Sequence, residues 1–204
     1  MKALIIVDLQ NDFCPGGALP VREGDQVVPV VNRLQSKFEI VIATQDWHPK
    51  NHKSFASNHH KKIGETVKLN GLDQILWPDH CVQGTRGAEF VAELKTERIE
   101  RIFQKGTDPE IDSYSGFFDN GHQKPTGLGD YLKARGVTDV YLAGLATDYC
   151  VKFTALDAVA LGFHVSLISD ACRGVDLHEG DVEKAVAEMK AKGVAVLTSQ
   201  DLLG

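Results

Sequence analysis

The sequence has only four cysteines among 204 residues and no C-x-x-C pair. Their wide spacing gives no sign of a disulfide framework or of a cysteine-based zinc site. The apolar run of the opening segment is short and ends at Asp8, without a longer apolar stretch or a small-residue cleavage site. This segment therefore predicts a strand rather than a secretion signal, and we expect reduced thiols and a cytoplasmic location.

Concentrated positive charge is also missing from the sequence. The 22 lysines and arginines are scattered and outnumbered by 28 acidic residues, which gives a net charge of −6. Nucleic acids and anionic membranes are bound through basic patches, so neither is an expected partner, and a small molecule is favoured. The turn after the first predicted strand reads Asp8-Leu9-Gln10-Asn11 and lacks G-x-G-x-x-G, which argues against a dinucleotide-binding dehydrogenase.

Apolar runs of strand length alternate with segments of helical periodicity along the whole chain. The predicted strands are 2–8, 38–44, 98–104, 140–144, 163–169 and 194–198, and the predicted helices are 25–37, 89–95, 129–135, a helix following 144, and 178–192. This alternation is typical of an α/β fold, here a three-layer α/β/α sandwich with about six parallel strands. The length and the 43% hydrophobic content fit one domain over residues 1–204.

Two stretches have no convincing helical or strand period. Residues 51–84 and 107–124 are rich in polar and aromatic side chains, and the first of them contains several histidines. Structureless segments of this length in compact domains usually serve function. We therefore expect both to form loops that face a binding site.

The stretch 137–162 combines a strand with the start of a helix. An apolar run ends at Gly144, and apolar residues then recur at helical spacing, so Cys150 is predicted to lie in the first turn of the helix. Unpaired N–H groups and the helix dipole favour a thiolate there, as expected for a nucleophile. Most free cysteines, however, are buried and inert, and position alone leaves that alternative open.

Asp8 and Lys105 each follow a different predicted strand. Ligands of parallel sheets bind beyond the carboxyl ends of the strands, so these two side chains and Cys150 are expected at one rim. A carboxylate there can accept the proton of a thiol while an ammonium stabilises the thiolate. Alternatively, Asp8 is a turn former and Lys105 an ordinary surface lysine.

Asp46 and His48 follow the second predicted strand and are two residues apart. In an extended segment both side chains point to the same side, and His80 from the long loop is able to complete a trio. Two histidines and a carboxylate suit zinc, iron or manganese and leave coordination positions open. The spacing alone also fits solvated loop histidines.

Five stretches together resemble the nicotinamidases of the isochorismatase-like cysteine hydrolase family, in family order and register. They are IIVDLQNDFCPGGAL (5–19), TQDWHPKNHKSFASNH (44–59), LWPDHCVQGTRGAEF (76–90), QKGTDPEIDSYSGFFDN (104–120) and GLATDYCV (144–151). The resemblance runs from end to end. It implies the isochorismatase-like fold and a cis peptide bond between Leu145 and Ala146.

The resemblance also implies roles for particular residues. The implied set comprises a catalytic triad of Asp8, Lys105 and Cys150, an oxyanion hole from the N–H groups of Ala146 and Cys150, metal ligands Asp46, His48 and His80, and substrate walls Phe13, Trp77 and Tyr114. His52 is not included, because family members differ at the corresponding position. One divalent transition metal is implied, most simply zinc, with iron or manganese as alternatives.

The activity implied by the resemblance is hydrolysis of the carboxamide of nicotinamide to nicotinate and ammonia through a cysteine thioester, in NAD salvage. Pyrazinamide is an expected second substrate. Related ureido and carbamoyl amidases share the triad but generally not the metal trio, and isochorismatases often lack parts of both. A metal-binding or redox-sensing protein without catalysis is the alternative from another class, and a homo-oligomer remains open.

Overall fold

The computed structural model describes residues 1–204. The strands are β1 (Lys2–Val7), β2 (Ile40–Asp46), β3 (Thr66–Leu69), β4 (Leu72–Ile75), β5 (Arg101–Lys105), β6 (Asp139–Leu145), β7 (His164–Arg173) and β8 (Ala195–Leu197). The α-helices are α1 (Val27–Leu34), α2 (Leu128–Ala134), α3 (Lys152–Ala160), α4 (Asp181–Ala191) and α5 (Gln200–Leu203). None of these helices has the length and apolar character needed to cross a membrane.

Six strands form one parallel sheet in the order β5-β2-β1-β6-β7-β8. The strand order reverses direction around β1, since the chain winds first towards β5 and then returns to β6 on the other side. In open parallel sheets such a reversal opens a crevice at the carboxyl ends of the strands. The predicted fold class, an α/β/α sandwich with about six parallel strands, is confirmed.

Apolar side chains cover both faces of the sheet. Leu4 and Ile6 of β1 belong to the core cluster that contains the apolar face of α1. Ile5 and Val7 point the other way, into the cluster that contains buried residues of α2, α3 and α4. Successive strand residues alternate between faces, so a central strand with both faces covered must be apolar throughout. This explains the uninterrupted run that ends at Asp8.

The predicted helix 89–95 is wrong. A short 3-10 turn at Arg86–Ala88 comes before it, Val91 N–H then donates to the carbonyl of Leu9, and a single turn follows in which Leu94 N–H donates to the carbonyl of Val91. Val91 and Leu94 are both buried against the core, and their spacing of three residues matches that of one face of a helix. Backbone hydrogen bonds to a distant segment outweighed the local pattern.

Other boundaries differ from prediction. The fifth strand starts at Arg101 instead of 98, because the Arg98 guanidinium donates to the carbonyls of Gln35 and Phe38 before the ladder with β2 begins. The stretch 51–84, predicted to lack structure, contains the antiparallel hairpin β3-β4. The helix predicted after 144 begins with a π-helical turn at Thr147–Val151 and continues as α3.

Candidate active site

The carboxyl ends of β1, β2 and β5 and the turn after β6 meet at one rim of the sheet. Asp8 follows β1, Asp46 and Lys105 end β2 and β5, and Cys150 lies in the π-helical turn before α3. Oxygen atoms of Asp8 and Asp46 and the sulfur of Cys150 all lie within 4.8 Å of one another. Strand order, not sequence proximity, therefore brings these groups together.

Lys105 lies at the centre of this rim and is only 2% exposed. Its ammonium lies 3.0 Å from Asp8 Oδ2 and 3.4 Å from Cys150 Sγ. It also donates to the Ser113 carbonyl at 2.9 Å and forms an ion pair with Asp46 Oδ1. Burial opposes its charge, but Asp46 and Asp8 outweigh burial and raise the pKa of Lys105 well above its usual value. The side chain is a fixed cation.

The carboxylate of Asp8 is fully buried and oriented from two sides. Thr44 Oγ1 donates to its Oδ1 at 2.7 Å, while Oδ2 faces Lys105. Burial raises the pKa of Asp8, and Lys105 acts against that rise. A carboxylate with a raised pKa, held near a thiol, is suited to accept a proton.

Cys150 is 6% exposed and opens onto a cavity. Burial raises the pKa of its thiol well above the ordinary value, and Lys105 opposes this effect. The resting group is therefore a thiol that needs a base, rather than a free thiolate. In the same turn the Leu145-Ala146 peptide is cis, as the resemblance implies, and the Ala146 N–H has no protein acceptor.

Gly144 allows β6 to approach β1 closely just before this turn. Its φ is +128°, and a Cβ there would lie 2.1 Å from the Val7 carbonyl oxygen. Only glycine combines that backbone conformation with so close a contact. The turn that carries Cys150 is thereby held directly beside Asp8.

Asp46, His48 and His80 form a second group beside Lys105. Asp46 Oδ2 lies 3.5 Å from His48 Nε2 and 3.9 Å from His80 Nε2. Burial opposes charge on Asp46, but Lys105 and His48 outweigh it and hold the pKa of its carboxyl well below the usual range. Burial and the neighbouring His48 lower the pKa of His80 to about 4, which keeps this imidazole neutral as a metal ligand must be.

The trio is fixed by its surroundings. Gln10 accepts from the Asp46 N–H and donates to the Asp46 carbonyl, both at 2.8 Å, and His48 Nδ1 bonds to the Gly106 carbonyl at 2.9 Å. His80 Nδ1 bonds to the carbonyl of Pro78 at 2.7 Å. These contacts leave the Nε2 atoms of both histidines directed towards Asp46, in the manner of outer-shell support for metal ligands.

The donor set fits a divalent transition metal. His48 Nε2 is buried and has no hydrogen-bond partner, an arrangement that costs free energy unless something else satisfies the nitrogen. One carboxylate oxygen and two imidazole nitrogens suit zinc, iron or manganese. His52 Nε2 is likewise buried without a partner, although sequence reasoning left His52 out.

Gly106, whose carbonyl bonds to His48 Nδ1, allows a direct test of how the position of His48 affects metal binding. Its φ is +63°, and a Cβ there would lie 2.3 Å from His48 Cε1 and 2.6 Å from Nδ1. We expect Gly106→Ala to displace the His48 ring, to lower zinc affinity at least about tenfold and to destabilise the fold by about 1–3 kcal/mol. Zinc titration and thermal unfolding measure the two effects.

Gly136→Ala is the matched control for this variant. Gly136 has a similar φ of +69°, but a Cβ added there would have no atom within 4 Å. It therefore carries the same backbone strain without a clash and should keep its zinc affinity. Equal zinc affinities in the two variants would contradict the role of Gly106.

A mostly apolar cavity lies in front of Cys150. Its walls include the three predicted residues Phe13, Trp77 and Tyr114, together with Leu19, Asp46, His80, Asp112, Ala146, Tyr149 and Val175. Trp77 Nε1 donates to Tyr114 Oη at 3.0 Å, and Gln74 Nε2 donates to the same oxygen at 3.0 Å. These bonds fix two walls of a slot suited to a flat ring with a polar group at one end.

Sequence reasoning missed several members of the site. Thr44 bonds to Asp8 and Ser113 accepts from Lys105, but neither residue type is distinctive in a sequence. Asp112 stands two residues before Tyr114 in a stretch already expected to face the site, which was the available signal for it. Val175 follows β7 without any motif.

A thiol, two carboxylates and an ammonium meet at the carboxyl ends of a six-stranded parallel sheet, the place where α/β enzymes bind their substrates. The Isochorismatase domain model matches residues 2–201. The chain therefore belongs to the isochorismatase family.

Three similar proteins place the chain more finely within that family. A nicotinamidase of Escherichia coli strain K12 is 51% identical over 98% of this chain and 96% of its own length. The solved structure of an Acinetobacter baumanii nicotinamidase and pyrazinamidase superposes with a TM-score of 0.96 at 49% identity, covering 99% of this chain and 98% of its own. The pyrazinamidase of Pyrococcus horikoshii, in complex with zinc, has a TM-score of 0.80 at 43% identity and covers 97% and 98%.

Proposed function

We propose that this protein is a nicotinamidase, which hydrolyses nicotinamide to nicotinate and ammonia and contributes to NAD salvage. The single observation that carries the proposal is the position of Lys105, whose ammonium contacts Asp8, Cys150 and Asp46, the last two of which also line the cavity. Its similarity to relatives named nicotinamidase supports the same activity. Pyrazinamide, which also carries a carboxamide on a nitrogen-containing ring, is a second substrate.

The first half of the reaction forms a thioester. Asp8 removes the proton of the Cys150 thiol, and the sulfur attacks the carboxamide carbon while Lys105 stabilises the charge that develops on sulfur. The carbonyl oxygen becomes an oxyanion that accepts hydrogen bonds from the N–H groups of Ala146 and Cys150. Asp8 then returns the proton to the leaving nitrogen, and ammonia departs.

The second half regenerates the enzyme. Asp8 takes a proton from a water molecule, whose oxygen attacks the thioester carbon. The carbon–sulfur bond breaks, nicotinate is released and the proton returns to Cys150. The same carboxylate thus serves both halves, in agreement with its fixed position between Thr44 and Lys105.

Asp46, His48 and His80 would hold one divalent transition metal, with zinc as the first candidate because a zinc complex is known for the similar pyrazinamidase. When bound, the ion supplies a positive centre for the ring nitrogen, reached directly or through water. Phe13, Trp77 and Tyr114 enclose the ring and direct its carboxamide towards Cys150. Ring binding is therefore assigned to the metal trio and the walls of the slot, and bond breaking to Asp8, Lys105 and Cys150. Lys105 links the two groups because it contacts both Asp46 and Asp8.

Release of ammonia from nicotinamide by the purified protein tests the activity. We expect stoichiometric nicotinate and ammonia. A ureido or carbamoyl amidase would instead prefer a non-aromatic substrate, and a metal-sequestering or redox-sensing protein would release none. Absence of ammonia from metal-loaded protein with a reduced Cys150 would overturn the proposal.

The ring nitrogen provides a sharper prediction. Benzamide lacks this atom, so we expect its kcat/KM to be at least about tenfold lower than that of nicotinamide, equivalent to about 1.4 kcal/mol of transition-state stabilisation. Chelation or His48→Ala should weaken nicotinamide binding much more than it slows the reaction of Cys150 with a thiol reagent. Equal turnover of both amides by active purified enzyme in which elemental analysis finds no transition metal would contradict a metal-binding role for the trio.

We also propose that residues 1–204 act as one isochorismatase-like hydrolase domain and that the protein is cytoplasmic. The six-stranded sheet, which draws strands from both ends of the chain, supports the first proposal. The four free cysteines support a reducing compartment.

A further inference from the structure

Val175 forms a wall between two cavities. It lines the slot in front of Cys150, and it is the one residue of that slot that also lines a second cavity, of about 590 Å³, bounded by residues of β7 and α4. Val175 is partly buried and packs against the core cluster that contains Phe13 and Ala146, two other walls of the slot. The width of the slot at this point therefore depends on one side chain with space behind it.

Asp148 fixes the loop that carries Val175. This loop, residues 174–176, follows β7, whereas Asp148 lies in the π-helical turn two residues before Cys150. Asp148 is 5% exposed, and its Oδ1 and Oδ2 accept from the N–H groups of Val175 and Asp176 at 2.9 and 2.8 Å. Hydrogen bonds to a carboxylate are among the stronger ones in proteins. The loop is thereby tied to the turn that carries the nucleophile.

The other side of the loop is fixed by α4. Asp176 Oδ1 accepts from the N–H groups of Asp181 and Val182, at the start of this helix, at 2.9 and 3.3 Å. A Cβ on Gly174 would lie 2.2 Å from Val182 Cγ2 and 3.0 Å from Asp148 Oδ1, so the loop passes closely between the turn and the helix. Loops usually move more than the elements they connect. This one is held on both sides, as expected for a rigid wall.

We propose that Val175 sets the size of the ring that the slot accepts, and that Asp148 is a positioning residue that keeps this side chain in place. A single aromatic ring fits in front of Val175, whereas a fused second ring needs the volume of its two methyl groups. Without those methyl groups, the second cavity receives the added ring. This inference rests on the proposed hydrolysis of nicotinamide and limits the substrate class to carboxamides of a single aromatic ring.

The test compares nicotinamide with two bicyclic amides, quinoline-3-carboxamide and isoquinoline-4-carboxamide. Each keeps the ring nitrogen and the carboxamide in the same relation and adds a benzene ring at a different edge. The measured quantity is the ratio of kcat/KM for a bicyclic amide to kcat/KM for nicotinamide, in enzyme supplied with zinc. We expect Val175→Ala to raise this ratio at least about tenfold for at least one bicyclic amide. A change that acts on stability alone lowers both kcat/KM values by the same factor and leaves the ratio unmoved.

Asp148→Asn should move the ratio in the same direction. A side-chain amide has one acceptor oxygen in place of two, so one of the two loop N–H groups loses its partner. We expect the ratio to rise about three- to tenfold, together with a larger KM for nicotinamide. Because Asp148 acts through Val175, the double variant should have a ratio within about threefold of that of Val175→Ala alone. If Asp148→Asn does not fold, Asp148→Ser also removes one acceptor and carries the same expectations.

Val186→Ala and Asp119→Asn are the matched controls. Val186 lines the second cavity but not the slot. Asp119 is buried and accepts from the backbone N–H groups of Gly121, Gln123 and Lys124, but it lines neither cavity. Both variants should keep the ratio of the parent to within about twofold, because neither changes the wall of the slot.

The outcomes separate this inference from the proposed function. A parent protein that releases no ammonia from nicotinamide overturns both. A parent that is active on nicotinamide, with ratios in Val175→Ala within about threefold of its own, overturns the role of Val175 alone. A parent that hydrolyses the bicyclic amides as fast as nicotinamide does the same. An unchanged ratio in Asp148→Asn overturns the role of Asp148.

Discussion

Cys150→Ala is expected to abolish ammonia release, with a loss in kcat of at least about 10⁴-fold, because Cys150 is the one cysteine in the wall of the cavity. Nicotinamide should still bind, since the walls Phe13, Trp77 and Tyr114 and the trio Asp46, His48 and His80 lie on other strands and loops. A discontinuous ammonia assay measures the first effect and calorimetric titration the second. Near-normal turnover would show that Cys150 is not the nucleophile.

Cys172→Ala is the control for this experiment. Cys172 is as buried as Cys150, at 4% and 6% exposure, but it lies in β7 and its thiol faces the Leu142 carbonyl. Its removal should lower stability through lost packing and leave the rate per folded molecule unchanged. A comparable loss of rate in both variants would point to unfolding instead of chemistry.

Lys105→Met should lower kcat at least about a hundredfold, the order expected when a charge that stabilises the transition state is lost. Methionine fills a similar volume but leaves Asp8 and Asp46 facing each other without the ammonium between them. Burial and the neighbouring carboxylate should then raise the pKa of Asp8 further. We therefore expect the acidic limb of the pH profile of kcat to move to higher pH as well.

Lys124→Met is the control that shows whether the same substitution at a surface lysine has a similar effect. Lys124 pairs with Asp108 at the surface and has no contact with the rim of the sheet. Its variant should keep both the rate and the pH profile. A loss of less than about tenfold in Lys105→Met, with an unmoved profile, would remove Lys105 from the triad.

The strand ends explain how much of the site the sequence could predict. Asp8 and Asp46 follow long apolar runs, and the direction of a parallel sheet places the ends of such runs at one rim. Lys105 follows a less apolar run, because β5 lies at the edge of the sheet and exposes Ile102 and Gln104. The start of this strand was consequently misplaced by three residues, although its end was correct to within one.

The parts that could not be predicted depend on contacts between distant segments. Gln10 bonds to the backbone of Asp46, and Asp12 Oδ2 accepts from the Cys81 N–H at 2.7 Å beside His80. Such bonds join positions that are 36 and 69 residues apart, and no local period encodes them. Asp112 was not predicted as a site residue for the same reason, since only the fold brings it near His48 and His52.

The edge position of β5 has a consequence for the dynamics of the enzyme. This strand pairs with β2 along one side only, so its opening needs less free energy than the unfolding of the central strands. Fraying of β5 would withdraw one ammonium from Asp8, Asp46 and Cys150 at once. We therefore expect activity to disappear at denaturant concentrations that leave the central strands β2, β1 and β6 intact.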